Sequence, residues 1–286
     1  MIRWSAALDA AILGWWRDSY SYPFDPFTGR VAAMRGDGEL LWMTTHVGMS
    51  IYDVAADPQG RVAIVGAHDW DDPQWPEPSI KILDGAVGAD LVDLSRPEFA
   101  QGDTGRAAVF ASSGVLFVAL AYDDNVAYIL RIQPDGTVDR EAPASCPGWG
   151  HLHLLSDDRL LLASMAPNDT IVHLCIFDTE LTAVESTTYT PPGRASNVLR
   201  GISVGASGHV ALTGMAGDSM SGPPGYTFLA FLYPDFTVRW EWQHDTGDDT
   251  TEQGWSVAVS PGGEVTLLRI FEYQPPHHWD LTRFRP

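Results

Sequence analysis

Lysine is almost missing from this chain. Lys81 is the only one among 17 basic residues, and all the others are Arg. Such a bias follows from a GC-rich genome, or from selection for the planar, anion-binding fork of the guanidinium. Basic charge as a whole is scarce, with 17 Lys and Arg against 37 Asp and Glu and a formal net charge of -20. That balance excludes non-specific nucleic-acid binding, which needs cations to displace the counterions of phosphates. It also argues against anionic membranes. Cations and basic proteins remain as electrostatic partners. Cysteine is scarce too: Cys146 and Cys175 are the only two, too few for a disulfide framework and not of CxxC spacing. Cys175 lies in an alternating apolar stretch and reads as core. Cys146 sits in Ser-Cys-Pro-Gly-Trp-Gly, five residues before His151, where a thiol of lowered pKa would be reactive. No run of about 18 apolar residues occurs, and residues 1–16 carry neither an apolar h-region nor a cleavage signature. The expectation is a cytoplasmic protein.

What is present is a repeat. The chain has 286 residues, 45% of them hydrophobic, enough for one large core or two ordinary ones. Trp255-Ser-Val-Ala-Val-Ser-Pro-Gly-Gly-Glu-Val-Thr-Leu-Leu is the clearest copy of an apolar stretch, a tight polar turn and a second apolar stretch. The segments from Tyr52 and from Arg200 match it almost position for position, and weaker copies start at Trp4, Arg106 and Gly150. The second stretch begins near residues 10, 61, 115, 159, 209 and 264. That spacing of roughly 50 residues, with alternating rather than helical periodicity, specifies strands and not a helical solenoid. A second hairpin follows in each copy, as in Tyr128-Ile-Leu-Arg-Ile-Gln-Pro-Asp-Gly-Thr-Val. Asp-Gly and Pro-Asp suit the tight turns.

Four strands per copy, joined as successive hairpins, make the blade of a β-propeller. The expected fold is all-β: a single six-bladed propeller domain over 1–286, with blades at roughly 1–47, 48–98, 99–145, 146–190, 191–246 and 247–286. A pair of β-sandwiches is the alternative. The last blade has room for three strands only. Either it stays incomplete, or the segment Met1 to Ser5 crosses over to complete it. The Asp-Pro-x-Gly turn followed by a Val-Ala-rich strand resembles the propeller repeats common in bacterial proteins, and the resemblance covers nearly the whole chain. It implies the fold and no particular activity, because propellers host hydrolases, lyases, lectins and scaffolds. The fourth copy departs from it, with Ser-Asp-Asp in place of the Pro/Gly turn.

Two sets of loops differ. The turns inside the hairpins are short, whereas the connections on the opposite face, such as 18–28, 69–79 and 244–254, are long and irregular. Long loops on a rigid scaffold are where function concentrates. The residues entering the first strand of each blade are Trp4, Tyr52, Arg106, Gly150 (after Trp149), Arg200 and Trp255. In a propeller they would line the mouth of the channel. Arg offers a fork for carboxylate or phosphate, and the aromatics a flat apolar contact. The leading expectation is therefore a binding propeller that holds a small polar, anionic or peptide ligand through Trp4, Tyr52, Arg106, Trp149, Arg200 and Trp255. The plainer reading is that the aromatics fill gaps between blades while the Arg pair with acids.

His151 and His153 project from one face of a strand. With Asp53 they are candidates for a divalent metal site, or for acid–base chemistry in a hydrolase, lyase or cyclase. No serine-nucleophile motif, phosphate loop, paired zinc motif or complete calcium loop occurs. An acidic scaffold for a basic protein is a third reading, motivated by the charge alone. Small molecules, peptides or a basic protein are the expected partners; nucleic acid and membrane are not.

Overall fold

The structure, a computed structural model, describes residues 1–17, 28–68, 77–94, 103–122, 126–144, 146–166, 170–191, 196–217, 225–244, 251–272 and 278–285. The long connections singled out in the sequence lie largely outside these residues. Among the described residues there are 23 strands and no helix. They have the strand plan of a six-bladed β-propeller in which five blades have four strands and the last has three.

By its internal contacts the chain divides into two compact units. One is Met1–Ser145 with Glu180–Thr182; the other is Cys146–Thr179 with Ala183–Pro286. The first unit holds three blades. The first of these consists of β1 (Ile2–Ser5), β2 (Ala10–Arg17), β3 (Thr28–Arg35) and β4 (Leu40–Val47). Next come β5 (Met49–Ala56), β6 (Arg61–His68), β7 (Glu77–Asp84) and β8 (Asp90–Asp93). The third blade is β9 (Asp103–Phe110), β10 (Leu116–Tyr122), β11 (Val126–Ile132) and β12 (Val138–Ala144). The second unit holds β13 (Trp149–Leu154), β14 (Leu160–Met165), β15 (Val172–Phe177) and β16 (Ala183–Tyr189). It continues with β17 (Ser196–Val204), β18 (Val210–Gly217), β19 (Gly225–Leu232) and β20 (Val238–His244), and ends with β21 (Thr251–Val259), β22 (Val265–Glu272) and β23 (His278–Phe284). Within every blade successive strands pair antiparallel in chain order, and one parallel bridge, Gly225 to Thr251, links the fifth blade to the sixth. β1 pairs with β2 inside the first blade. Of the two alternatives for the last blade, the three-stranded one is found.

Burial explains the residue choice. Strands covered on both faces, such as β18 and β19, are buried at every position, while the outermost strands alternate or are largely exposed, as in β16 and β20. The core is a series of clusters, each between neighbouring blades. Ile12, Val31, Ile51 and Ile64 join the first two blades, and Val65, Ile82, Val118 and Leu130 the next two. In the second unit Leu161, Leu174, Leu212 and Phe228 fill the space between its first two blades, and Leu229, Phe231 and Leu267 that between its last two.

The hairpin turns repeat one geometry. Gly60, Gly114, Gly208 and Gly263 occupy the same turn position with φ of 89°, 83°, 79° and 81°. In the fourth blade Asp158 takes that position at φ 62°, and its N–H donates to the Leu155 carbonyl at 3.1 Å. Asp tolerates the left-handed region better than most residues, so the departure seen in the sequence alters the residue and keeps the turn.

The two cysteines were not expected to pair. They do: Cys146 and Cys175 form a disulfide with Cα atoms 6.3 Å apart, a separation ordinary for such bonds. Cys175 is core as expected, at 5% exposure, but Cys146 is equally buried at 1%. The reactive-thiol reading of Cys146 is corrected accordingly, because no thiolate exists in the disulfide. The bond ties the segment entering the fourth blade to its third strand.

Candidate functional site

The first strands of four blades carry one residue more than the strand they pair with. Ile51 faces Gly66 and Asp53 faces Val65, which leaves Tyr52 as the extra residue. In the third blade Gly105 faces Leu120 and Ala107 faces Ala119, so Arg106 is the extra one. The same count singles out Arg200 in the fifth blade and Trp255 in the sixth. These are β-bulges, which bend a strand and re-aim one side chain, and they concentrate next to functional sites.

The four bulged residues make two couples. The Arg106 guanidinium lies over the Tyr52 ring at 4.5 Å, and the Arg200 guanidinium over the Trp255 ring at 5.2 Å. Each couple joins neighbouring blades of one unit. Such stacking contributes about 0.5–2 kcal/mol depending on desolvation. Trp255 remains 41% exposed. Tyr52 and Arg106 are half-buried and Arg200 is exposed. A guanidinium carries its donors in a planar fork, whose geometry suits a planar anion.

Close backbone approach makes these bulges feasible. A Cβ at Gly66 would lie 1.8 Å from the Ser50 carbonyl oxygen, and one at Gly214 would lie 1.9 Å from that of Val198. Only glycine fits opposite the bulges of Tyr52 and Arg200.

The other expected site residues behave differently. In the first and fourth blades the register runs without a shift through Trp4, opposite Ala11, and Trp149, opposite Met165; the side chains of Trp4 and Trp149 lie outside the described residues. Asp53 is 6% exposed. Its Oδ2 accepts the Ala108 backbone N–H at 3.1 Å and Arg3 Nη2 at 3.4 Å, so the carboxylate clips the first three blades together. His151 and His153 share one face of β13, opposite Ala163 and Leu161, and are half-buried. Asp53 belongs to the first unit and these two histidines to the second. Among the described residues no three His, Cys, Asp or Glu side chains are grouped to hold a metal ion.

Sequence reasoning missed a second pattern. His46 and His244 occupy equivalent positions of the outermost strands, four residues after Trp42 and Trp240, which pair with Ala33 and Phe231 beside matching bulges. Alignment of those strands would have exposed it. His244 is held: its Nδ1 lies 2.6 Å from Oε2 of Glu252, whose Oε1 accepts Arg269 Nη1 at 2.8 Å. Arg269 also pairs with Asp280 and lies over the Trp242 ring.

His46 and His68 are both pushed below the ordinary histidine value of 6.5, chiefly by burial. For His68 the bond from Nδ1 to the Gly48 carbonyl offsets part of that effect. Asp90, Asp93 and Glu77 favour their protonation, and Lys81 opposes it. The unfolded chain takes up these protons at the ordinary value and the folded chain only at lower pH. Stability from this pair is therefore full above about pH 7 and falls as the pH drops through 6.5 toward the depressed values. Thermal melts across that window should show a declining midpoint, and His46→Gln should flatten the decline. An unchanged slope in the variant would remove His46 from the account.

No family model and no curated protein matches the sequence. Solved structures do resemble it. One is a subtype N10 neuraminidase-like protein of A/little yellow-shouldered bat/Guatemala/060/2010, at TM-score 0.60 and 11% identity over 99% of this chain and 93% of that one. The luciferin-regenerating enzyme matches at 0.58 and 11%, over 93% and 82%. The Dos1 propeller matches at 0.55 and 11%, over 100% and 73%. The likeness is one of fold. At this identity it carries no activity across.

Proposed function

We propose that this protein is a binding propeller whose Arg–aromatic couples, Tyr52 with Arg106 and Arg200 with Trp255, take a planar anionic group of a small molecule or peptide. The observation that supports this reading is that all four side chains sit on bulges at one repeat position. An extra residue in a strand costs ladder hydrogen bonds, and its recurrence at residues of complementary chemistry is explained by what the side chains hold. The guanidinium would supply paired N–H donors to a carboxylate or phosphate, and the ring a flat apolar wall for the attached group.

Benzoate and phenyl phosphate are suitable probes, because each joins such an anion to a ring. Calorimetric titration should detect saturable binding. A charged hydrogen bond contributes about 1.5–3 kcal/mol, so loss of the responsible Arg in Arg106→Ala or Arg200→Ala should weaken binding at least about tenfold. The Lys variants should recover only part of it, since an ammonium lacks the fork. Binding unaffected in both Ala variants would reject the reading.

A further inference from the structure

A cleft of about 550 Å³ lies between the outermost strand of the first blade and the second blade. Its walls include His46 from β4, His68 at the end of β6, Glu77 and Lys81 from β7, and Asp90 and Asp93 from β8. All belong to the first unit.

Three observations define what the cleft would accept. His46 is only 7% exposed, and among the described residues its Nε2 has no hydrogen-bond partner. A buried polar atom left unpaired costs about 1–3 kcal/mol, and native proteins tolerate few of them. Its repeat equivalent, His244, is by contrast held by Glu252. Next, His68 Nδ1 lies 3.0 Å from the Gly48 carbonyl. A carbonyl only accepts, so Nδ1 carries the proton and Nε2 of the neutral ring is an acceptor. Finally, three carboxylates, Glu77, Asp90 and Asp93, face one ammonium, that of Lys81. Lys81 Nζ donates to Asp93 at 2.7 Å and to Asp90 at 3.0 Å. The only lysine of the chain is thus already spent within the cleft, in an arrangement where carboxylates hold a primary ammonium. The Asp90 side chain stays 45% exposed, and a carboxylate has about four acceptor positions, more than Lys81 fills.

Acceptors and negative charge predominate, and no three ligating side chains are grouped for a metal ion among the described residues. We propose that this cleft binds a small organic amine with His46 in its Nδ1–H tautomer, so that the ammonium donates to His46 Nε2 and its charge is balanced by Asp90, Asp93 and Glu77.

Titration with putrescine and agmatine tests this, with 1,4-butanediol as the uncharged counterpart. One amine per chain should bind, the diol should not, and salt should weaken the binding because the carboxylates are partly exposed. His46→Phe removes the acceptor, and Asp90→Asn removes charge from a half-exposed position where folding is not at stake. Each should weaken amine binding at least about tenfold. Absence of amine binding overturns the proposal. So does amine binding that survives Asp90→Asn and a folded His46→Phe, or equal binding of the diol. Stoichiometric uptake of Zn²⁺ in place of amines would overturn it in favour of a metal site.

Discussion

Arg269→Ala is expected to destabilise the protein by about 3–5 kcal/mol, the usual consequence of breaking a buried ion pair. Glu252 has no exposed surface, and Arg269 is 8% exposed. Removal of the guanidinium leaves the Glu252 carboxylate with His244 as its partner, in surroundings that cannot hydrate it. The loss extends beyond charge. Arg269 covers the Trp242 ring at 5.4 Å and, through its hydrogen bond, holds the Asp280 carboxyl below its ordinary range. Urea denaturation monitored by tryptophan fluorescence reads the effect as a lower midpoint. The double variant Glu252→Gln with Arg269→Met should recover much of the loss, because no buried charge then remains unpaired. A loss below about 1 kcal/mol in Arg269→Ala would mean that water or a rearranged His244 solvates Glu252.

The disulfide carries the second large effect. Its cysteines are 29 residues apart, and closure of a loop of that length restricts the unfolded chain by about 3–4 kcal/mol in the chain-entropy account. Replacement of both cysteines by Ala should lower the melting midpoint by roughly 5–7 °C for a chain of this size. The wild-type protein, denatured without reductant, should show no titratable thiol. An unchanged midpoint, or two thiols in the denatured protein, would contradict the bond. Because the cytosol keeps most thiols reduced, the oxidation state of this pair in freshly isolated protein also tests the expectation of a cytoplasmic location.

What could be read in the sequence follows from which interactions are local. Strand alternation and turn residues are encoded within ten residues, so the hairpins of Tyr52 to Val65 and of Trp255 to Leu268 stand out, and the blade count with them. The aligned positions Tyr52, Arg106, Arg200 and Trp255 were equally visible. Their pairing was not, because it depends on a register shift between strands. Trp4 holds the same aligned position and Trp149 precedes its counterpart Gly150, yet their strands run without that shift. Gly66 and Gly214 mark two of the bulges in retrospect, since they lie opposite them and tolerate no Cβ. The Cys146–Cys175 bond joins a loop to an inner strand, and two cysteines at that separation specify no pairing by themselves. The equivalence of His46 and His244 stayed hidden because outer strands are exposed and weakly patterned.

The most direct test of the binding account is a titration of the arginine side-chain Nε–H signals by NMR, with phenyl phosphate as the probe and assignments from Arg106→Lys and Arg200→Lys. The account predicts that Arg106, Arg200 or both shift saturably while the remaining arginines stay in place. Saturable shifts confined to other arginines, or none at all with the probe bound, would show that the bulged Arg–aromatic couples serve the packing of the blades and not a ligand.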